Sequence, residues 1–303
     1  MMSETLTESR DAEVAELLKG AVDLHCHSGP AAMPRILDHH EALLDAAAAG
    51  FRALLYKDHF YLGTPHCVIL EKLVPTNVKL FSGIALNNAS GGINPHAVDH
   101  AAKIGAKIVW LPTLSAKNHI DQAEGAAKSF PKTAKKMLDP IPLSALDANG
   151  KVSDATKQVL DIIAEADIIL AGGHLPASEL IMVFEEAGRR GVTKMLVNHP
   201  TYVVNCTDED MKALVELGAY LEHSICMFIE GTALHFTPQD LARYVEIATP
   251  DRTVLSSDLG LRGSPRPIEG FRQIVAMLLD LQIPPSDIRK MISANAAGLL
   301  NLH

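Results

Sequence analysis

The sequence predicts an α/β chain folded as a TIM (β/α)8 barrel with a long insertion after the fourth strand. Three observations carry this. Short apolar runs alternate with helix-period segments about eight times along 303 residues. The first run ends in His25-Cys26-His27, with no glycine-rich phosphate loop of the kind that opens a doubly wound sheet. Ligand-type side chains recur at the ends of the later runs, where a parallel barrel gathers its functional residues.

The elements follow in order. An amphipathic helix over residues 11–19 leads into a first strand at 21–25. A helix over 39–49 ends at Gly50, and strand 51–57 follows. Helix 65–73 precedes strand 78–84, whose following loop, 87–94, is rich in Gly and Asn. Helix 96–104 ends at Gly105, and strand 107–111 stops at Pro112. The alternation then breaks over 113–153, a polar stretch with Pro131, Pro140 and Pro142. Its Asn149-Gly150 pair suggests a small hairpin, and its length suggests a lid or binding loop. Helix 154–164 and strand 168–171 resume the pattern. Pairs of helix and strand follow at 177–190 and 194–197, 208–217 and 219–222, and 238–248 and 253–256. Helices over 269–281 and 286–300 close the chain. The reading is of one domain, 1–303, with 113–153 laid over it.

Composition narrows the function. The chain is 48% hydrophobic and 21% charged, ordinary for a globular protein with a sizeable core. A net charge of −9 argues against a nucleic-acid partner, because phosphate binding needs clustered Lys and Arg. No apolar run suits a membrane span, and residues 1–19 lack the basic start and apolar core of a secretory signal. The 4 cysteines have no CxxC spacing and fit reduced thiols, so a cytoplasmic location is expected. The expected partner is a small-molecule substrate; a homo-oligomer is compatible with the sequence.

Side chains two apart on a strand share a face, so His25 and His27 can grip one metal ion. The second strand end offers Lys57 and His59, the fifth His174, the sixth His199 and the eighth Asp258. The seventh ends in Glu222-His223, and strand alternation lets only one of these face the mouth. Each alone has a bland reading as a hydrogen-bond partner or turn cap. Their recurrence at matching positions of the repeating unit favours a metal centre. A lysine flanked by Leu54, Leu55 and Tyr56 is costly to bury unless paired or ligated.

This set, HxH on the first strand, His on the fifth and sixth and Asp on the eighth, resembles the amidohydrolase superfamily of metal-dependent barrel hydrolases. The match runs the length of the chain, and Ser293-Ala-Asn-Ala-Ala-Gly-Leu-Leu300 resembles the superfamily's C-terminal helix. Lys57-Asp58-His59 and Trp110-Leu111-Pro112-Thr113 are similar to motifs of a small, poorly characterised group within it. The resemblance implies that His25, His27 and Asp258 hold one metal, that His174 and His199 hold a second or join the first, and that Asp258 is the general base. The departure is the fourth strand, which lacks the usual bridging carboxylated Lys or Glu. Lys57 is the only well-placed substitute, either carboxylated between two metals or as a cation that polarises the substrate. Zinc suits the donor set, with Mn2+, Fe2+ and Co2+ compatible. His59, Trp110, Arg262 and Arg266 are the candidate substrate contacts.

The leading expectation is hydrolysis of an amide, cyclic amide, lactone or ester. The alternative is a zinc-dependent nonoxidative decarboxylase of the same superfamily. A phosphoesterase of the PHP kind matches less well, and a ligand-binding barrel without activity fits a complete donor set worst.

Overall fold

The computed structural model describes residues 2–125 and 130–302. Eight strands, β1 Val22–Cys26, β2 Ala53–Tyr56, β3 Lys79–Ala85, β4 Ile108–Trp110, β5 Ile169–Ala171, β6 Met195–Asn198, β7 Tyr220–Ser224 and β8 Thr253–Ser256, run parallel in sequence order. The sheet closes on itself. Asp258 N–H donates to the His25 carbonyl (2.8 Å), His27 N–H donates to the Leu259 carbonyl (2.9 Å), and Cys26 bridges Leu259. Closure excludes the open doubly wound sheet.

Alternation within the short strands sorts the core into layers. Leu24, Leu55, Ile108, Trp110, Ile169, Leu196 and Val254 form one buried cluster, the barrel lumen. Ala296, Ala297, Leu299 and Leu300 of the C-terminal helical segment belong to the same cluster and stopper the barrel. Asn295 holds them there by donating to the Pro250 and Thr253 carbonyls (2.8 and 2.7 Å) at the start of β8. The other strand faces pack on the helices, through residues such as Leu54, Val109, Leu170, Val197 and Leu255.

Helix starts follow local chemistry. Asp38, Thr207 and Thr237 each accept from the backbone N–H three residues on, and Glu41, Asp210 and Asp240 return the bond. The expected hairpin around Asn149-Gly150 reduces to one antiparallel bridge, Leu146 to Val152. Asp147 Oδ1 takes the Asn149 and Lys151 N–H groups, so the turn is satisfied locally and no strand pair extends from it. The rest of the insertion holds helix Lys117–Gly125 and irregular chain; positions 126–129 of the expected lid lie outside the described residues.

No helix among the described residues is long and apolar enough to cross a membrane.

Candidate metal centre

β1 and β8 build the centre between them. Asp23, buried in β1, accepts from the backbone N–H groups of His25 (3.0 Å) and Ser257 (2.9 Å) and from the Ser257 hydroxyl. This pins the two strand ends together. Asp258 then turns into the left-handed region, φ 48°, which Asp tolerates better than most residues. Its Oδ1 lies 3.1 Å from His25 Nε2 and 3.1 Å from His27 Nε2. The ligand atoms of the three residues fall within 4.8 Å of one another. His199 is also left-handed, φ 31°, so two strand-end residues expected at the site carry backbone strain there.

The imidazoles are held from behind. His25 Nδ1 pairs with Glu222 Oε1 (2.5 Å), and Asn198 Nδ2 donates to Glu222 Oε2 (2.7 Å). His27 Nδ1 lies 2.9 Å from the Lys57 carbonyl, which can only accept, so that nitrogen carries the proton. Both Nε2 atoms are thereby left facing Asp258, the arrangement in which outer partners set the tautomer of metal-binding histidines.

Charge at the centre fits a cation. Burial opposes charge on His25, yet Asp258 and Glu222, working against Lys57, lift its pKa to about 9. Burial and Arg35 push His27 down to about 3, so it is neutral and available as a donor. Burial works to raise Asp258, but His25 and His27 hold it well below the usual carboxylate range. A buried point that favours a proton between two carboxylates is a point where a divalent ion can replace that proton.

The other expected residues divide. Lys57 is 1% exposed, with Nζ 2.9 Å from His25 Nε2 and 5.3 Å from the Trp110 ring centroid, and burial lowers its pKa. His199 lies beside His25 (6.3 Å between ring centroids) with its buried Nδ1 unpartnered. His174 sits 4.9 Å from the His199 ring, its Nδ1 paired with His119 Nδ1 (2.9 Å). His174 and His199 stand outside the tight group of three. A cavity of ≈ 580 Å³ opens above, lined by His27, Lys57, His59, His174, His199, Asp258 and Arg262 among others. His59 Nδ1 is anchored on Thr113 Oγ1 (2.9 Å).

Two expected substrate contacts are corrected. Trp110 is fully buried beneath Lys57 in the lumen and does not line the cavity. Arg266 caps helix Pro267–Asp280, pairs with Asp45 (3.0 Å) and is not among the residues that line the cavity. Glu222, left open against its neighbour, is the inward one of the pair. His223 points out and stacks on Tyr244 (5.4 Å, 15°). Sequence reading missed His119 and Arg35, both cavity-lining loop or insertion residues. The insertion further supplies Phe130 and Lys132 to the cavity wall.

Residues 20–222 match the model of a family of unknown function, DUF6282. No curated protein matches the chain. Among solved structures, the fold is similar to that of an amidohydrolase from Pseudomonas aeruginosa, at 12% identity over 96% of this chain and 98% of that one, with a TM-score of 0.67. It is similar also to organophosphorus hydrolase from Deinococcus radiodurans (13% identity, 95% and 93% covered, TM-score 0.58). A third likeness is to N-acetyl-D-glucosamine-6-phosphate deacetylase from Mycobacterium smegmatis (12%, 94% and 77%, TM-score 0.54). At such identities the likeness is one of fold.

Proposed function

Because this chain belongs to the DUF6282 family of unknown function and shares its barrel with hydrolases, we propose that it is a metal-dependent hydrolase acting on an amide, cyclic amide, lactone or ester. The observation that carries the reading is the convergence of His25 Nε2 and His27 Nε2 on Asp258 Oδ1, with His27 and Asp258 lining the cavity. Zinc is the metal of first choice for two imidazoles and a carboxylate. When bound, it would activate water at neutral pH and polarise the substrate carbonyl.

The protein's own residues supply the rest. Asp258, kept ionised by its two histidine neighbours, takes the proton of the attacking water and returns it to the leaving group. Glu222 holds His25 by Nδ1, and the Lys57 carbonyl holds His27. In a two-metal form, Lys57 would be the bridging candidate: burial lowers the pKa of its amine, and the neutral amine is the form that would add CO2, giving a carbamate and releasing a proton. His174 and His199 would then serve the second ion, and the unpartnered His199 Nδ1 suits that use.

One observation favours the decarboxylase as a second reading. Lys57 Nζ lies 2.9 Å from His25 Nε2, and Arg35 and Arg262 line the cavity, basic side chains suited to a carboxylic acid. A single metal, with carbon dioxide released from a carboxylic acid substrate, would select it.

The test is metal analysis of the purified protein, followed by a screen against esters, lactones, amides and carboxylic acids with zinc restored. About one or two equivalents of metal and hydrolytic turnover are expected. Asp258→Asn should lower turnover by ~10²-fold or more while the circular dichroism spectrum is kept. Metal-free protein, or wild-type turnover in that variant, would sink the reading.

A further inference from the structure

The acidic chain lines its cavity with cations. Acidic residues outnumber basic ones 36 to 27 overall, yet among the described residues Asp258 is the one carboxylate on the cavity wall, against the basic side chains Arg35, Lys57, Lys132 and Arg262. Lys132 and Arg262 are exposed at the rim, whereas Arg35 is partly buried.

Arg35 is fixed in place without an anion. Its backbone bridges Leu261, and the next residue, Ile36, donates to the Gly260 carbonyl (2.9 Å), so it is tied to the loop that carries Asp258. Its Nε is buried with no acceptor. Its Nη2 lies 3.3 Å from His27 Nδ1, but that nitrogen already donates to the Lys57 carbonyl and has no lone pair to offer. No carboxylate closes an ion pair on it among the described residues; the fields of Asp58 and Asp258 reach it from further off, and Asp58 Oδ2 is itself buried and unpartnered. A guanidinium stays charged in proteins, and a desolvated one without acceptors is costly unless a ligand supplies them. Apolar groups of Met33, Phe130, Met227 and Leu261 line the same cavity.

We propose that the substrate carries a carboxylate, that Arg35 is the group that binds it beside the His27 edge of the centre, and that an apolar or aromatic body fills the rest of the cavity. This deepens the hydrolase reading by naming its substrate class, and it rests on that reading for the reacting bond. Guanidinium and carboxylate pair through two parallel N–H···O bonds, which a neutral group of equal size cannot match. Arg35 is thus a specificity-determining residue, set to orient the scissile group over Asp258.

The probes are phenylacetate and 2-phenylethanol, alike in their aromatic body and different in charge. Their Kd values are measured by calorimetry on the metal-loaded protein and again after chelation. Phenylacetate should bind about tenfold or more tightly in both forms. Arg35→Gln should erase the gap in both, Arg35→Lys should keep part of it, and Arg243→Gln, at a surface arginine paired with Asp208 away from the cavity wall, should keep it whole. Equal binding of the two probes to the wild type overturns the proposal, since Arg35 would then be a structural partner of Asp58. A gap that vanishes on chelation and ignores Arg35→Gln also overturns it, because the metal would be holding the carboxylate. The wild-type comparison stands even if a variant fails to fold. Failure of the hydrolase reading shows separately, as absent metal or absent turnover with the chelated-protein gap intact.

Discussion

His25 shows how a single side chain is prepared by neighbours far away in sequence. Glu222 is 0% exposed, and its two oxygens are divided between His25 and Asn198. A buried carboxylate so engaged contributes through the ring it orients. Glu222→Gln should therefore weaken metal binding by about 10- to 100-fold, read by competition with a chromogenic chelator, with the fold retained. Unchanged affinity would assign Glu222 to packing alone. His25 and His27 are legible from their two-residue spacing at the end of β1, and His174, His199 and Asp258 because ligand-type residues recur just past the strand ends of successive β/α units. Glu222 and His223 are not separable that way: they are adjacent, and a shift of one residue exchanges their faces. Arg35 lies on connecting chain, where no period says what faces the mouth, and His119 lies on helix Lys117–Gly125 of the insertion, whose seat over the barrel the β/α repeat does not set.

At the scale of elements, the tightest junction is where the loop after β8 crosses β1. Gly260 has φ 132°, and a Cβ there would stand 1.5 Å from the His27 carbonyl oxygen. Gly260→Ala should move His27 off its partner, reduce bound metal and cost ~2 kcal/mol or more in denaturant unfolding. Gly188→Ala is the control. It sits in helix Ala177–Arg189, nothing lies within 4 Å of its added Cβ, and a small gain of ~0.5–1 kcal/mol is expected. Equal losses at both positions would contradict the argument. Helix boundaries follow caps that are written in the chain, Thr207 with Asp210 and Thr237 with Asp240. Trp110 reads as a mouth residue because it ends an apolar strand before Pro112, yet it shares the inward face of β4 with Ile108 and is buried under Lys57.

Across the whole molecule, buried neutral histidines tie stability to pH. Burial, against a weaker pull from Glu222, lowers His223 from 6.5 to about 4. The unfolded chain takes up a proton below about pH 6.5 that the folded one refuses until about pH 4. Stability is thus full above that window and falls as pH drops through it, by at most ~3 kcal/mol from this group. Urea unfolding in half-unit pH steps should show the fall, and His223→Phe, which keeps a ring against Tyr244, should flatten it. A slope equally steep in that variant would place the dependence on other groups, such as His39, also lowered to about 4 by burial. The alternating pattern, the caps and the strand-end donors were all readable along the chain, because each depends on backbone period or on neighbours a few residues apart. Barrel closure decided the rest. It brought Asp258 onto His25 and His27, turned Glu222 rather than His223 inward, sent Arg266 to Asp45 and left Arg35 facing the cavity without an anion, all contacts between residues distant in sequence whose geometry exists only once β1 meets β8.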